Sequence, residues 1–284
     1  RGGKLIENKT INAIANTVQQ LMKMSVDKLY VTLIRLLSEN YGYNKIDYNE
    51  NYILAKGTVP LMLVAHIDTV CANVPKELNY DKDNSIITGD GLRPIGADDR
   101  AGIVAIIYLL AAGYRPHILF TNGEEIGGVG AEALIEKYLK CPFSCKYIVE
   151  LDRGGICDCV FYRNNNNTEF IKYIESFGFV LDIGTFSDIY IIGPAWKIAS
   201  VNLSVGYEFE HTSREYLDVE DLYDTINAVA AMIENIDDCP FFKHKEDTKN
   251  TCEYCGMLLP GRVRKQEGYY LCDVCYDIWK KYRN

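Results

Sequence analysis

Three short apolar runs, separated by helical segments, constrain this chain more than any other feature. They are "LMLVAHID" (61–68), "PHILFTNGEE" (116–125) and "YIVELDRGG" (147–155). None alternates apolar with polar residues, so each reads as a strand buried on both faces, which is the habit of a parallel sheet. Between and after them, "AGIVAIIYLLAAG" (101–113), "AEALIEKYLK" (131–140), "EFIKYIESFG" (169–178) and "DVEDLYDTINAVAAMIENI" (218–236) read as helices. Upstream, residues 11–40 read as helical and "YILAKG" (52–57) as a further strand. This alternation predicts an α/β domain with a largely parallel sheet. Ligands of such sheets bind beyond the carboxyl ends of the strands. His66 and Asp68 end the first run, Glu124 and Glu125 follow the second, and Asp152 ends the third.

The bulk numbers narrow the function. A net charge of −9 argues against a general nucleic-acid or membrane-surface role. No run of 18 apolar residues exists to span a membrane, and "RGGKLIENKT" at the start has no apolar segment like that of a signal peptide. Of the ten cysteines, Cys71, Cys141, Cys145, Cys157, Cys159 and Cys239 read as thiols and not as disulfides, which fits a reducing cytoplasm.

The polar clusters carry the chemistry. "GADDRAG" (96–102) sets Asp98 beside Asp99 where a loop becomes a buried helix, and burying adjacent carboxylates needs a cation or several donors. Two of the four histidines, His66 and His211, stand beside acids, and imidazole with carboxylate suits zinc or a similar divalent ion. Asp68, two residues after His66, can accept the other ring N–H and fix the tautomer. A lone histidine is more often a core residue, and a lone "EE" more often a solvated turn. Here the pair follows a buried strand and is framed by Gly123, Gly127, Gly128 and Gly130, which permit tight backbone near a ligand.

In order, "AHIDTV", "GADDRAG", "TNGEEIGG", "ELDRGG" and "EFEHTSREYLD" resemble the motifs of the co-catalytic di-zinc exopeptidases, the clan of aminopeptidases, carboxypeptidases and deacylases. The resemblance spans roughly residues 25–236. It implies a three-layer α/β/α fold with a mostly parallel mixed sheet. It makes His66 and Asp152 ligands of one zinc, and Glu125 and His211 ligands of a second. Asp98 would bridge the two and be joined to Asp99 by a cis peptide. Asp68 would orient His66, and Glu124 would be the general base toward a zinc-bound hydroxide. Phe186 or Asp188, in "FSDIYI", would line the substrate pocket.

Spacing selects a branch of the clan. Only 31 residues separate His66 from Asp98 and 58 separate Asp152 from His211. A domain takes at least about 50 residues, and the second interval must also supply strands and a helix, so no lid or dimerisation domain fits. The motifs are worded like the tripeptidase branch, whereas the layout resembles the lidless bacterial leucyl-aminopeptidase type. The expected activity is an aminopeptidase acting on peptides. The alternatives are a carboxypeptidase or N-deacylase with the same metal centre, a non-catalytic adaptor, and a mono-zinc cyclotransferase of the same fold.

The domain is expected to cover residues 1–238, with a linker over 239–250 and a small module over 251–284. Cys252 and Cys255 stand 16 residues before Cys272 and Cys275, two C-x2-C pairs with the spacing of a closed structural zinc site. The module resembles a zinc ribbon or treble-clef finger. With seven Lys/Arg against four Asp/Glu over 249–284 it is only mildly basic, which favours a protein partner or self-association over nucleic acid. "RNNNNTE" (163–169) reads as a surface loop.

Overall fold

In the computed structural model, which describes residues 2–71, 73–162, 167–245, 252, 264–266, 269–272 and 275–276, the three apolar runs become neighbouring strands of one sheet. They are β3 (Val59–His66), β6 (Pro116–Thr121) and β7 (Ile148–Arg153). With β1 (Ile46–Asn49), β2 (Tyr52–Ala55), β8 (Asp158–Val160), β9 (Val180–Leu181) and β10 (Ser200–Ser204) they form an eight-stranded sheet of order β1-β2-β6-β3-β7-β10-β8-β9. The central pairs β6/β3, β3/β7 and β7/β10 are parallel, while β1/β2, β2/β6 and β10/β8 are antiparallel.

Side-chain alternation along the central strands feeds two apolar layers. Leu63, Ala65, Ile118, Phe120, Val149 and Leu151 enter one, under α1 (Gly2–Met22), α3 (Ala97–Ala111) and α7 (Val219–Glu234), which pack on one another. Met62, Val64, Leu119 and Ile148 enter the other, under α4 (Val129–Lys137) and α6 (Asp188–Trp196). The result is a three-layer α/β/α fold. A second sheet, β11-β12-β5-β4, covers one end; it is built from β4 (Leu78–Asp81), β5 (Ile86–Gly89), β11 (Tyr207–Glu208) and β12 (Tyr216–Asp218). None of the helices among the described residues is long and apolar enough to cross a membrane.

The helices start where the sequence supplies caps. The Asp218 carboxylate accepts from the Glu220 and Asp221 amides, and the buried face of α7 follows at Leu222, Ile226, Val229 and Ile233. The helix expected over 11–40 is divided. α1 stops at Met22, and the Ser25 side chain caps α2 (Val26–Arg35), whose apolar stripe Leu29, Leu33 continues to Leu37 in a short π-helical turn. Asn167, in the stretch read as a surface loop, is 4% exposed; it caps α5 (Thr168–Glu175) and donates to Lys243 O. Residues 163–166 of that stretch lie outside the described residues.

The linker reading over 239–250 needs correction at its start. Cys239 and Phe242 are buried in the main core, and the Phe242 ring packs against Tyr147, Phe170 and Tyr173. Lys243 bridges Ile198, so the body extends past residue 238. Residues 246–250 are outside the described set. Beyond them, β13 (Arg264–Gln266) and β14 (Tyr269–Leu271) form an antiparallel hairpin. Cys252, Leu271, Cys272 and Cys275 make a separate buried cluster, with Ile183 and Tyr276 packed against it. Cys255 lies outside the described residues.

Candidate metal centre

The carboxyl ends of β3, β6 and β7 deliver most of the site, and the turn between β11 and β12 delivers His211. His66, the last residue of β3, is 1% exposed. Its Nδ1 faces Asp68, 3.0 Å from the backbone oxygen and 3.4 Å from Oδ1. Nε2 therefore faces the centre, 2.9 Å from Asp98 Oδ1 and 3.3 Å from Asp152 Oδ1. On the other side, His211 Nε2 is 3.0 Å from Asp98 Oδ2 and 3.0 Å from Glu125 Oε2. Asp98 thus turns one oxygen to each imidazole, and each imidazole has a second carboxylate beside it.

Asp68 does more than face His66. Its two oxygens accept the Glu124 and Glu125 amides at 3.2 Å each, so one carboxylate joins the end of β3 to the loop after β6. Of the glycines in that loop, Gly128 shows the need for space most plainly. A Cβ on Gly128, whose φ is +77°, would stand 2.9 Å from the Phe186 ring and 2.6 Å from Ile191.

The pair that opens α3 divides its work. Asp98 reaches the centre, while Asp99, fully buried, accepts the His66 amide at 3.1 Å and the Gly102 amide at 2.9 Å. The peptide between them is cis. Arg100 is also buried and donates to Ile67 O.

Several supporting residues were not singled out by the sequence. Glu215 accepts the Gly96 amide at 2.9 Å and the Asp98 amide at 3.1 Å, holding the backbone that presents Asp98. Tyr207 donates to Asp152 Oδ1 at 3.2 Å, and the Asn202 amide bonds both the N–H and the carbonyl of Asp152. Glu150, buried one layer below, accepts from Ser187 at the start of α6. Glu215 lies inside the quoted "EFEHTSREYLD", so an acid in a motif was the available signal.

Burial dominates the electrostatics. It pushes the Glu124 carboxyl up to about 9, with Asp152 the next contributor. Burial also raises Asp152 to about 7, against the attraction of His66. Burial alone would lower His66, but Asp152, Asp68 and Asp98 together hold it well above its ordinary value. His211 is raised to about 9, chiefly by its hydrogen bond to Asp98. Asp98 goes the other way: burial pushes it up, and the bonds from both imidazoles hold it far below the carboxylate range. Four carboxyl groups crowded around two imidazoles in a buried place form a donor set suited to cations of the zinc type. His66 with Asp98 and Glu125, and His66 with Asp152 and Asp99, each bring ligand atoms within 4.8 Å of one another.

A cleft of about 280 Å³ opens over these residues, with Ile183–Phe186 on its wall. Phe186 lines it. Asp188 does not: it is fully buried at the start of α6, where one oxygen accepts from Thr121 and Oδ1 has no partner.

No family model matches the sequence, and neither does any curated protein. Solved structures do resemble the fold. An aminopeptidase PepT from Bacillus cereus superposes with a TM-score of 0.62 at 18% identity, over 80% of this chain and 99% of that one. A tripeptidase from Staphylococcus aureus gives 0.62 at 17%, over 80% and 98%. The aminopeptidase APDkam598 from the archaeon Desulfurococcus kamchatkensis gives 0.60 at 14%, over 79% and 95%. At such identities the likeness is one of fold.

Proposed function

We propose that this chain is a metal-dependent exopeptidase, an aminopeptidase of the lidless di-zinc type, with a structural zinc in its C-terminal module. The observation that supports it best is Asp98, with one oxygen toward His66 and Asp152 and the other toward His211 and Glu125. Two divalent cations bound there would polarise a substrate carbonyl and lower the pKa of an attacking water.

The chain's own groups supply the rest. Glu124 lines the cleft; burial raises its carboxyl to about 9 without metal, and cations beside it would lower it toward the range of a base at neutral pH. It takes a proton from the attacking water and returns it to the leaving amine. Asp68 fixes both the tautomer of His66 and the backbone carrying Glu124 and Glu125. Tyr207 and Asn202 fix Asp152.

The cleft lining favours an amino terminus over a carboxylate. Of the acids facing it, Glu210 is left without a part in the metal centre or the proton transfer, and its one guanidinium among the described residues, Arg153, is engaged by Asp182 and the Ile183 carbonyl. A carboxypeptidase or N-deacylase with the same centre is the second reading. The layout supports the lidless type, because the chain between β7 and His211 is occupied by β8, α5, β9, α6, β10 and β11. The three described cysteines of the module offer thiols within 4.8 Å of one another, and Cys255 is proposed as the fourth ligand. A cytoplasmic setting belongs to the same reading, since reduced thiols are needed there.

The test is hydrolysis of a dipeptide library, with free or acetylated N-termini, with and without chelator. Chelator-sensitive cleavage of free N-termini, lost in Glu124→Gln with metal retained, is expected. No cleavage by zinc-loaded protein would sink the reading, and cleavage of acetylated substrates alone would select the deacylase.

A further inference from the structure

The C-terminal cysteine cluster and the cleft share one segment. Cys252, Cys272 and Cys275 are 1%, 8% and 1% exposed, and Leu271 beside them is 2% exposed. The body residue packed on that cluster is Ile183. Ile183 is also the first of four consecutive residues, 183–186, on the wall of the cleft that holds Glu124, Asp152 and His211.

That wall belongs to no strand or helix; it joins β9 to α6. Its other anchors among the described residues are as follows. The Asp182 amide donates to Cys159 O at 2.9 Å, and Arg153, next to Asp152, donates to Asp182 and to Ile183 O. Gly184 lies against Tyr162 so closely that a Cβ would be 2.9 Å from its ring. The Phe186 ring packs on Tyr190, 5.8 Å between centroids, so the far end of the wall is held by the body. At the near end, backbone tied by a few polar bonds opens readily unless apolar packing holds it, and the apolar contact at Ile183 comes from the module.

We propose that the cysteine module, closed on its own metal, is the outer support of the substrate cleft: through Ile183 it fixes segment 182–186 and so sets how tightly a peptide is held. The module acts on binding and not on the chemical step, since its described residues are absent from the cleft lining. Ile183 is a positioning residue, and metal held by Cys252, Cys272 and Cys275 is coupled to substrate affinity at a second, separate centre.

Two variants test this in the whole zinc-loaded chain described above. Cys275→Ser removes a thiol, and Ile183→Ala keeps every thiol but removes the contact. The readouts are zinc per chain, hydrogen exchange of the backbone over 182–186, and KM and kcat across a peptide length series; the kinetic arm rests on the peptidase reading. Cys275→Ser is expected to lose one zinc and Ile183→Ala none. In both, exchange over 182–186 speeds up and KM rises roughly tenfold, equivalent to about 1.4 kcal/mol of binding, with kcat changed far less. If the wild type cleaves no peptide, the peptidase reading falls and the exchange arm alone decides. Unchanged exchange over 182–186 in Ile183→Ala, or a fall in kcat with KM unchanged, overturns the proposal.

Discussion

Gly102→Ala should damage both the fold and the metal centre, and the structure sets the size of the effect. Gly102 lies on the first turn of α3, against β7. A Cβ there would sit 1.8 Å from Leu151 O and 2.6 and 2.8 Å from the two Asp99 carboxylate oxygens. Non-bonded carbon and oxygen settle at about 3.3 Å or more, so roughly 1.5 Å of retreat is required. None of the neighbours is the free end of a flexible side chain. Either α3 withdraws from β7, or Asp99 leaves the His66 and Gly102 amides it bonds. Overpacking costs about 1–3 kcal/mol, and disrupting hydrogen bonds to a buried carboxylate about 1.5–3 kcal/mol. Alanine's better helix propensity returns about 1 kcal/mol. With both losses incurred in part, the net expectation is about 1.5–5 kcal/mol lost in urea unfolding. Because the retreat separates Asp98 from Asp152, activity should fall roughly 100-fold in the molecules that remain folded. A variant within about 0.5 kcal/mol of wild type, with normal zinc content, would refute the close approach of α3 to β7.

Asp68→Asn should keep the fold but weaken zinc binding and activity about 10–100-fold, because an amide cannot accept from both loop amides and the imidazole; an unchanged zinc Kd in a chelator competition would contradict this. Zinc binding at pH 7 should release protons, since Glu124 and His211 titrate near 9 and Asp152 near 7 in the metal-free chain. Affinity should then fall as pH drops, and calorimetry showing no dependence on buffer ionisation enthalpy would contradict it. His117 accepts the Gly57 amide at Nδ1 (3.1 Å) and meets Ser144 O at Nε2 (3.0 Å), an arrangement only the neutral Nε2–H ring satisfies. Burial lowers its pKa, so the unfolded chain binds the proton first. Stability should fall as pH drops below about 6.5. His117→Asn should lose less stability than wild type between pH 7.5 and 5.5, and an equal loss would refute this assignment.

What the sequence disclosed followed from locality. β3, β6 and β7 are legible because strands buried on both faces cannot avoid being apolar, and His66, Glu124, Glu125 and Asp152 because they end or follow those strands. Resemblance, and not spacing, separated Asp98, which reaches both imidazoles, from Asp99. The small sheet was silent: β4, β5, β11 and β12 are too short to show a period. α6 was hidden by Pro194 and Gly193 inside its span. Glu215 acts on amides 117 and 119 residues away, and Tyr207 on Asp152 at 55, distances that only the fold closes. Asp188 looked like a pocket residue from its motif, but at the start of α6 it is fully buried and outside the cleft lining. Phe242 looked like part of a linker because its partners Tyr147, Phe170 and Tyr173 are remote in sequence.

The most direct test of the central claim is anomalous diffraction at the zinc edge from crystals of the zinc-loaded protein. Two peaks are expected in the cleft, one against His66 and Asp152 and the other against His211 and Glu125, with Asp98 giving one oxygen to each. A single cleft peak, or two that do not share Asp98, would contradict it.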